Sequence, residues 1–481
     1  MTEDLRSIGA AELARQIRSG ARSPTDVIEA TLSRIHARND AINAFITVCD
    51  EQAQAAAEEV GAAIDRGEDP GPLAGVPVGI KDLTNVAHVP TTFGSVPLQD
   101  TVPDVDDVLV RRLREAGAII VGKTNTPEFG RKTVTENHLV GATHNPWDHS
   151  RIVGGSSGGS GAALADGQVP LAQGTDAAGS IRVPSAACGT VGIMPDFGRV
   201  PLGNSRPDAF VNTHPYGYAG PMARRVEDVA LGLDVMAGPD PADPFSLPEQ
   251  PGSYTDALDA GVSGLRVAFS PDLGICRVAE AVRAETADAV SAFEGAGVDV
   301  ERATPDFGFD YEGLHEAIVV LLRERYIGLY ESLKEGRGID LLDSSLDVTP
   351  EVVDRVEKAH GLGPGDVRRA ERIRTTAYDA LQSFLGEWDL LVTPTIGRPA
   401  FELGDDAPLI DGKAVDPNHG WVLTWPFNLT GNPVAAVPAG TVDGLPVGLQ
   451  IVGRRLHDRD VVRAAAAYER ERPWIDDYPS N

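Results

Sequence analysis

The feature that most constrains the fold is a series of short apolar runs, each bounded by glycine or proline. The clearest are residues 76–80, 118–121, 265–270 and 298–303. Runs of this length are short for core helices and are typical of strands buried on both faces of a sheet. An alanine-rich helical stretch, 279–293, lies between the last two runs and predicts a βαβ unit. The chain is therefore expected to have an α/β fold.

Helical patterns precede and follow these runs. Two helices are predicted near the N-terminus, the second capped by Ser23 with Pro24 in its first turn, and a third at 52–64. Residues 238–254 contain five prolines and are predicted to be an irregular excursion. After the βαβ unit, the region up to about residue 385 is expected to be largely helical. Three further strands and a closing helix are predicted at 389–394, 433–438, 446–452 and 457–470.

The charge of the chain argues against nucleic acid or a membrane surface as the partner. Lys and Arg total 42 against 71 Asp and Glu, which gives a formal net charge of −29. Such a surface repels phosphate backbones and anionic lipid. The same balance fits either a GC-rich genome or adaptation to high salt, and the sequence does not separate the two.

The cysteines and the N-terminus indicate the compartment. Cys49, Cys188 and Cys276 form neither a disulfide framework nor the paired spacing of a zinc site. The N-terminus lacks a signal-peptide pattern, and no apolar stretch reaches the ~18 residues of a membrane span. We expect a soluble, unprocessed, cytoplasmic protein.

Two short glycine motifs match known patterns poorly. Residues 117–124 satisfy the phosphate-loop pattern GxxxxGK[ST], but their four variable positions are apolar and predict a strand. Residues 155–159 match the nucleophile elbow GxSxG with Ser157 at its centre, yet the preceding strand pattern is thin. An elbow also needs a later histidine, and none has a context that singles it out. The later histidines are His214, His315, His360, His419 and His457.

A longer pattern consists of two clusters rich in glycine and serine, at 154–163 and 174–184. If the chain folds back between them, two hydroxyls and many unhindered amides meet; a pair of tight turns is the alternative interpretation. Lys81 follows the apolar run 76–80, so it is expected at the end of a buried strand. Burial lowers the pKa of a lysine, so its neutral amine can act as a base.

At these residues the sequence resembles the amidase signature family. The resemblance rests on residues 74–82, 122–129 and 145–147, and on the two clusters, in which Ser156 and Ser180 stand 24 positions apart. Residues 431–434 and 444–453 add to it. Nearly the whole chain is covered.

The resemblance implies one large α/β domain with a mixed, twisted sheet flanked by helices, and no metal or organic cofactor. The alternative of two or three domains, which the length of 481 residues allows, is thereby disfavoured. The single amidase domain, 1–481, is expected to comprise N-terminal helices (1–66), a catalytic core (72–237), the proline-rich excursion (238–254) and the rest of the sheet and helices (255–481).

Carried over by motif, the resemblance makes Ser180 the nucleophile, Ser156 a bridging serine on a cis peptide, and Lys81 the base. The expected oxyanion donors are the backbone amides of Ala177, Ala178, Gly179 and Ser180, and the expected supporting residues are Ser157, Thr175, Asp176 and Arg182. Ala178 stands where the family usually has glycine; its methyl group is expected to narrow the approach to the nucleophile or to disfavour a positive φ. An alternative keeps Lys81 charged and paired with Asp82, with another residue as the base.

The implied activity is cofactor-independent hydrolysis of a small-molecule amide through an acyl-enzyme, with release of ammonia or an amine. The closest rival is the A subunit of a glutamyl-tRNA amidotransferase, which Ala178 disfavours; a non-catalytic or nucleotide-binding protein is the rival of a different class. The substrate stays open, and its pocket walls are expected in 201–218 and 314–333. The N-terminal helices could form a homodimer contact.

Overall fold

The computed structural model describes residues 6–203, 214–475 and 477–479. Part of one expected pocket wall, 204–213, lies outside these described residues. The helices are α1 Ala10–Arg18, α2 Pro24–Ile42, α3 Asp50–Asp65, α4 Val108–Glu115, α5 Gly158–Ala165, α6 Arg182–Cys188, α7 Val226–Met236, α8 Glu280–Gly295, α9 Tyr311–Arg337, α10 Pro350–His360, α11 Pro364–Glu387, α12 Trp425–Thr430 and α13 Asp458–Glu471. Short 3₁₀ turns lie at Val96–Leu98, Glu128–Gly130 and Thr255–Ala257.

The strands alternate with these helices along the chain. They are β1 Phe45–Val48, β2 Pro77–Lys81, β3 Ile119–Thr124, β4 Glu136–Asn137, β5 Gly141–Ala142, β6 Leu171–Asp176, β7 Val191–Met194, β8 Tyr218–Ala223, β9 Arg266–Phe269, β10 Asp299–Arg302, β11 Leu390–Pro394, β12 Leu409–Ile410, β13 Lys413–Ala414, β14 Val434–Val442 and β15 Leu445–Gly453. The strands predicted from apolar runs are all present, and none of their ends differs from the expected end by more than four residues.

Eleven strands form one mixed sheet in the order β1-β3-β2-β6-β8-β7-β14-β15-β11-β9-β10. The strand β2 pairs in parallel with β3 and β6, whereas β6, β8, β7, β14 and β15 pair antiparallel in succession. The predicted βαβ unit is confirmed, because β9 and β10 are parallel and α8 connects them. The α/β fold with a mixed sheet flanked by helices is therefore what the sequence predicted.

Two adjacent strands carry lysines into the core. Every residue of β2 and of β3 is buried, and both strands end in polar residues. Lys81 is the last residue of β2 and lies opposite Thr124, while Lys123 lies opposite Ile80. The phosphate-loop match is therefore a strand, as its apolar residues predicted.

Local signals explain where several elements begin and turn. The Ser23 hydroxyl accepts from the Asp26 amide at 3.4 Å at the start of α2. Asp443 and Gly444 connect β14 to β15 with φ values of 53° and 78°, as a two-residue hairpin turn with two positive φ angles requires. Residues 238–254 contain no helix or strand, as predicted. In the described ranges, no helix is long and apolar enough to span a bilayer.

Candidate active site

Lys81 lies at the centre of a group of hydroxyls. Its side chain is fully buried, and its Nζ donates to Ser156 Oγ at 2.7 Å and to Thr175 Oγ1 at 2.9 Å. Burial lowers the pKa of Lys81 well below the usual lysine value; the nearby Asp176 carboxylate opposes this effect, and Arg325 adds to it. The site therefore favours a neutral amine at Lys81.

The two serine clusters do fold together. The amide of Ser157 donates to the Ser180 carbonyl oxygen at 3.1 Å. The peptide bond between Gly155 and Ser156 is cis, as the resemblance implied. Both Ser156 and Ser180 are buried, at 2% and 8% exposure, and both line the same cavity. The alternative of two separate tight turns is therefore wrong.

Ser157 has a different environment from its neighbour. Its hydroxyl accepts from the Thr175 amide and donates to the Thr175 carbonyl oxygen, both at 3.2 Å, so it is bonded to the backbone of β6. The residue is fully buried. Of the later histidines, His214 and His419 line the cavity; His214 stacks on Tyr216, and His419 is hydrogen bonded to His315. The Ser157 hydroxyl therefore has a structural role, and this geometry argues against a nucleophile elbow.

The nucleophile loop is organised by the carboxylate of Asp176. Its Oδ1 accepts from the Gly179 amide at 2.6 Å, and its Oδ2 accepts from the Ile181 amide at 3.1 Å and from Arg182 Nε at 3.0 Å. Burial alone would raise the pKa of Asp176, but Arg182 and the hydrogen bonds, including one from Asn428, hold it below its ordinary value. The carboxylate is thus ionised and fully used in shaping residues 176–182.

Residues distant in sequence complete this network. Arg182 donates to the Thr424 carbonyl oxygen at 2.9 Å, to Gln450 Oε1 at 2.7 Å and to Asn428 Oδ1 at 2.7 Å. Asn428 Nδ2 in turn donates to Asp176 Oδ1 at 2.8 Å. Sequence reasoning missed these three partners of Arg182. Of the three, only Gln450 lies in a stretch that the sequence singled out, residues 444–453.

One of the expectations for the loop needs correction. The Gly179 amide is bonded to Asp176, and Gly179 is not among the described residues that line the cavity, whereas Ala177, Ala178 and Ser180 are. This contact argues against Gly179 as an oxyanion donor. Ala178 does not have a positive φ, which agrees with the expectation that its methyl group disfavours one; the narrowing of the approach to the nucleophile stays a prediction.

Gly179 instead has a steric role. Its φ is +114°, and a Cβ at this position would lie 2.0 Å from Thr424 Oγ1. The same Thr424 hydroxyl donates to the Ala178 carbonyl oxygen at 2.7 Å. The loop therefore needs glycine here in order to approach α12.

The suggested pairing of Lys81 with Asp82 is wrong. Asp82 Oδ1 lies 3.0 Å from Lys123 Nζ, and both side chains are fully buried. Lys123 also donates to Thr91 Oγ1 at 2.6 Å. Asp82 is therefore the counterion of Lys123.

The cavity in front of Ser180 has a volume of about 320 Å³, within the about 300–1,000 Å³ of small-molecule sites. Aromatic and aliphatic residues form its apolar wall: Phe93, Leu109, Phe129, Leu322, Tyr326 and Leu329. The last three belong to α9, so the expectation that 314–333 forms a pocket wall is met. A second cavity of about 670 Å³ adjoins it, and the two share Arg131, Lys132, Leu322, Arg355 and His419.

Comparison with known proteins identifies the class of protein to which this fold belongs. A family model described as amidase matches residues 26–462. An acylamidase of Rhodococcus erythropolis is 41% identical, with 100% of this chain and 99% of that protein covered. The A subunit of a glutamyl-tRNA(Gln) amidotransferase of Geobacillus thermodenitrificans is 34% identical over 93% of each.

Solved structures give the same result. The crystal structure of a bacterial aryl acylamidase of the amidase signature family has a TM-score of 0.94 at 32% identity, covering 99% of this chain and 98% of that one. A 6-aminohexanoate cyclic dimer hydrolase complexed with substrate has a TM-score of 0.88 at 31% identity, covering 99% of each. The chain belongs to the amidase signature family. It is a hydrolase of amide C–N bonds.

Proposed function

We propose that the protein hydrolyses carboxylic amides through an acyl-enzyme on Ser180, with Ser156 as the proton relay and Lys81 as the base. The observation that carries the proposal is the 2.7 Å hydrogen bond from Lys81 Nζ to Ser156 Oγ in a fully buried setting. A serine hydroxyl is a weak nucleophile until a base takes its proton. A neutral, buried amine bonded to the relaying hydroxyl supplies that base without a histidine.

The steps follow from this order. The Ser180 hydroxyl proton moves to Ser156 Oγ as the Ser156 proton moves to Lys81 Nζ, and Ser180 Oγ forms a bond to the amide carbon. Ser156 then returns a proton to the departing nitrogen as the C–N bond breaks, and Lys81 reprotonates Ser156. Water attacks the ester in the second half, with its proton passing along the same chain. The products are the acid and ammonia or an amine, and the enzyme is regenerated.

Charge on the tetrahedral oxygen needs backbone donors. We assign this role to the amides of Ala177, Ala178 and Ser180, which belong to residues lining the cavity. Gly179 is left out because its amide is bonded to Asp176. Asp176, Arg182, Ser157 and Thr175 act as positioning residues, since their bonds fix the loop and the strand that hold Ser180 and Lys81.

The apolar cavity wall supports an acylamide with a sizeable apolar group as the substrate class. Phe93, Phe129 and Tyr326 line a space of about 320 Å³. Burial of an apolar group against such a wall stabilises the complex by roughly 25 cal/mol for each Å² removed from water. The full-length similarity to an acylamidase agrees with this class.

The test combines labelling, substitution and a substrate panel. A fluorophosphonate probe is expected to label Ser180 alone, and Ser180→Ala is expected to abolish turnover. In a panel of matched amides, N-aryl and N-alkyl acylamides are expected to be cleaved faster than short polar amides, with released amine as the readout. Labelling at Ser157 would instead restore the nucleophile-elbow hypothesis.

The second candidate is the A subunit of a glutamyl-tRNA amidotransferase, because several such proteins are 33–37% identical over nearly the whole chain. That function requires hydrolysis of glutamine coupled to a partner protein. Glutaminase activity that appears only with a co-purified partner would favour it, and turnover of acylamides by the isolated chain would exclude it as the main activity. A homodimer, a cytoplasmic location and the subdivision of the single domain stay predictions.

A further inference from the structure

Three side chains that the mechanism does not use meet in the larger cavity. His315 lies in the first turns of α9, and Asp416 and His419 lie in the loop between β13 and α12. One ligand atom from each falls within 4.8 Å of the other two. His315 Nε2 and His419 Nδ1 are 3.0 Å apart. No pattern in the sequence brings these residues together, because 104 positions separate the two histidines.

We propose that His315, Asp416 and His419 form a binding site for a divalent transition-metal ion, with Zn²⁺ as the best match. Two imidazoles and one carboxylate with an open fourth position are a zinc-type ligand set. Metal–ligand bonds of about 2.0–2.2 Å place ligand atoms about 3–4 Å apart, so ligand atoms that already lie within 4.8 Å of one another need only a small adjustment to hold an ion.

The loop that provides two of the ligands is already held in place. Asp416 Oδ1 accepts from the His419 amide at 2.7 Å and from the Asn418 amide at 2.9 Å. Trp421 Nε1 donates to the Pro417 carbonyl oxygen at 2.9 Å. Outer contacts of this kind orient ligands before a metal arrives.

The third ligand is held by aromatic rings. The His315 ring stacks on Tyr311 at a centroid distance of 5.1 Å and meets the edge of Trp425 at 5.6 Å. These ring contacts restrict the orientation of the His315 imidazole.

The electrostatic surroundings favour a cation. Eight carboxylate residues line the larger cavity against five lysines and arginines. An excess of one sign in a concave site raises the local concentration of the opposite ion. His419 also lines the catalytic cavity, so an ion bound here would lie at the boundary between the two spaces.

The competing explanation is that the two histidines only form a hydrogen bond that joins α9 to the loop. The test is isothermal titration of Zn²⁺ into chelator-treated, full-length protein, with Co²⁺ absorption as a second signal for the ligand set. The wild type is expected to bind one equivalent. His315→Gln and Asp416→Asn are each expected to weaken binding by more than the about 10–100-fold that loss of an outer contact costs.

A matched control is available at His457. This exposed histidine lies 2.9 Å from Asp460 and so reproduces a histidine–carboxylate pair, with no third ligand among the residues that the structure describes. His457→Gln is expected to bind Zn²⁺ as the wild type does. The proposal is overturned if the wild type binds no stoichiometric Zn²⁺, if a folded His315→Gln or Asp416→Asn variant binds equally well, or if His457→Gln abolishes binding. Thermal melting of each variant establishes whether it is folded. If His315→Gln does not fold, Asp416→Asn carries the test, because Asp416 is exposed.

Discussion

Two fully buried lysines on adjacent strands have opposite kinds of partner. Lys123 on β3 lies 3.0 Å from the Asp82 carboxylate. Lys81 on β2 donates to the hydroxyls of Ser156 and Thr175. The strand register places the two residues almost side by side, with Lys123 opposite the residue that precedes Lys81. Both lysines are thus equally buried, but Lys123 has a charged partner and Lys81 has neutral ones.

The difference shows how one sheet supplies both a structural cation and a candidate base. Burial lowers the pKa of both amines. For Lys123 the Asp82 carboxylate opposes this effect through its charge and a hydrogen bond, whereas for Lys81 the Asp176 carboxylate opposes it through its charge alone. Near Lys81 the carboxylate of Asp176 is already paired with Arg182. A buried ion pair keeps its charges, whereas a buried amine with neutral partners is stabilised by losing its proton.

Among substitutions at the two lysines, the largest expected effect is the loss of catalysis in Lys81→Ala. Lys81→Ala removes the proposed base, so kcat/KM is expected to fall by at least ~10²–10⁴-fold, as for loss of a general base. The measurement is steady-state hydrolysis of the best amide from the panel, together with thermal melting to show that the variant is folded. A Lys81→Ala enzyme that keeps most of its rate would exclude Lys81 as the base.

The next effect is on stability. Lys123→Met leaves the Asp82 carboxylate buried without its cation, which costs about 3–5 kcal/mol. For a chain of 481 residues this corresponds to a fall in thermal midpoint of about 3–5 °C. The double variant Asp82→Asn/Lys123→Met removes both charges and is expected to recover part of the loss. Equal melting of Lys123→Met and the wild type would show that the pair is not a structural ion pair.

The sequence predicted the half of this contrast that depends on local pattern. The apolar run 76–80 correctly placed Lys81 at the end of a buried strand, and the apolar residues before Lys123 correctly indicated a strand in place of a phosphate loop. Lys123 was missed as the partner of Asp82, because the two residues are 41 positions apart and only the pairing of β2 with β3 brings them together. Pairing between strands distant in sequence leaves no local periodicity.

Other features were not predictable for related reasons. Strand β6, Leu171–Asp176, ends in polar and glycine residues, so its second half did not resemble an apolar run. The bond from Gly179 to Asp176 depends on the exact turn of the loop. Arg182 and its partner Gln450 are 268 positions apart, so only the fold brings them together. The motifs predicted that the two serine clusters and Lys81 meet, but not which distant side chains bond to them.

The smallest expected effect concerns the surface and not the buried lysines. If the net charge of −29 reflects adaptation to salt, molar NaCl is expected to raise the thermal midpoint by screening self-repulsion. The difference in thermal midpoint between Lys123→Met and the wild type is expected to stay constant, because salt screens buried ion pairs much less than exposed charges. A midpoint that does not rise between dilute buffer and molar salt would remove the adaptation hypothesis.

The most direct test of the contrast is the pH profile of kcat/KM. If Lys81 is the base, it acts only when neutral, so activity is expected to fall as the pH drops through its depressed pKa and the amine takes up a proton. The residual activity of Lys81→Ala is expected to lack this acidic limb, and the Asp82→Asn/Lys123→Met enzyme is expected to keep it. The same acidic limb in Lys81→Ala as in the wild type would contradict the assignment of Lys81 as the base, even if Ser180 is the nucleophile.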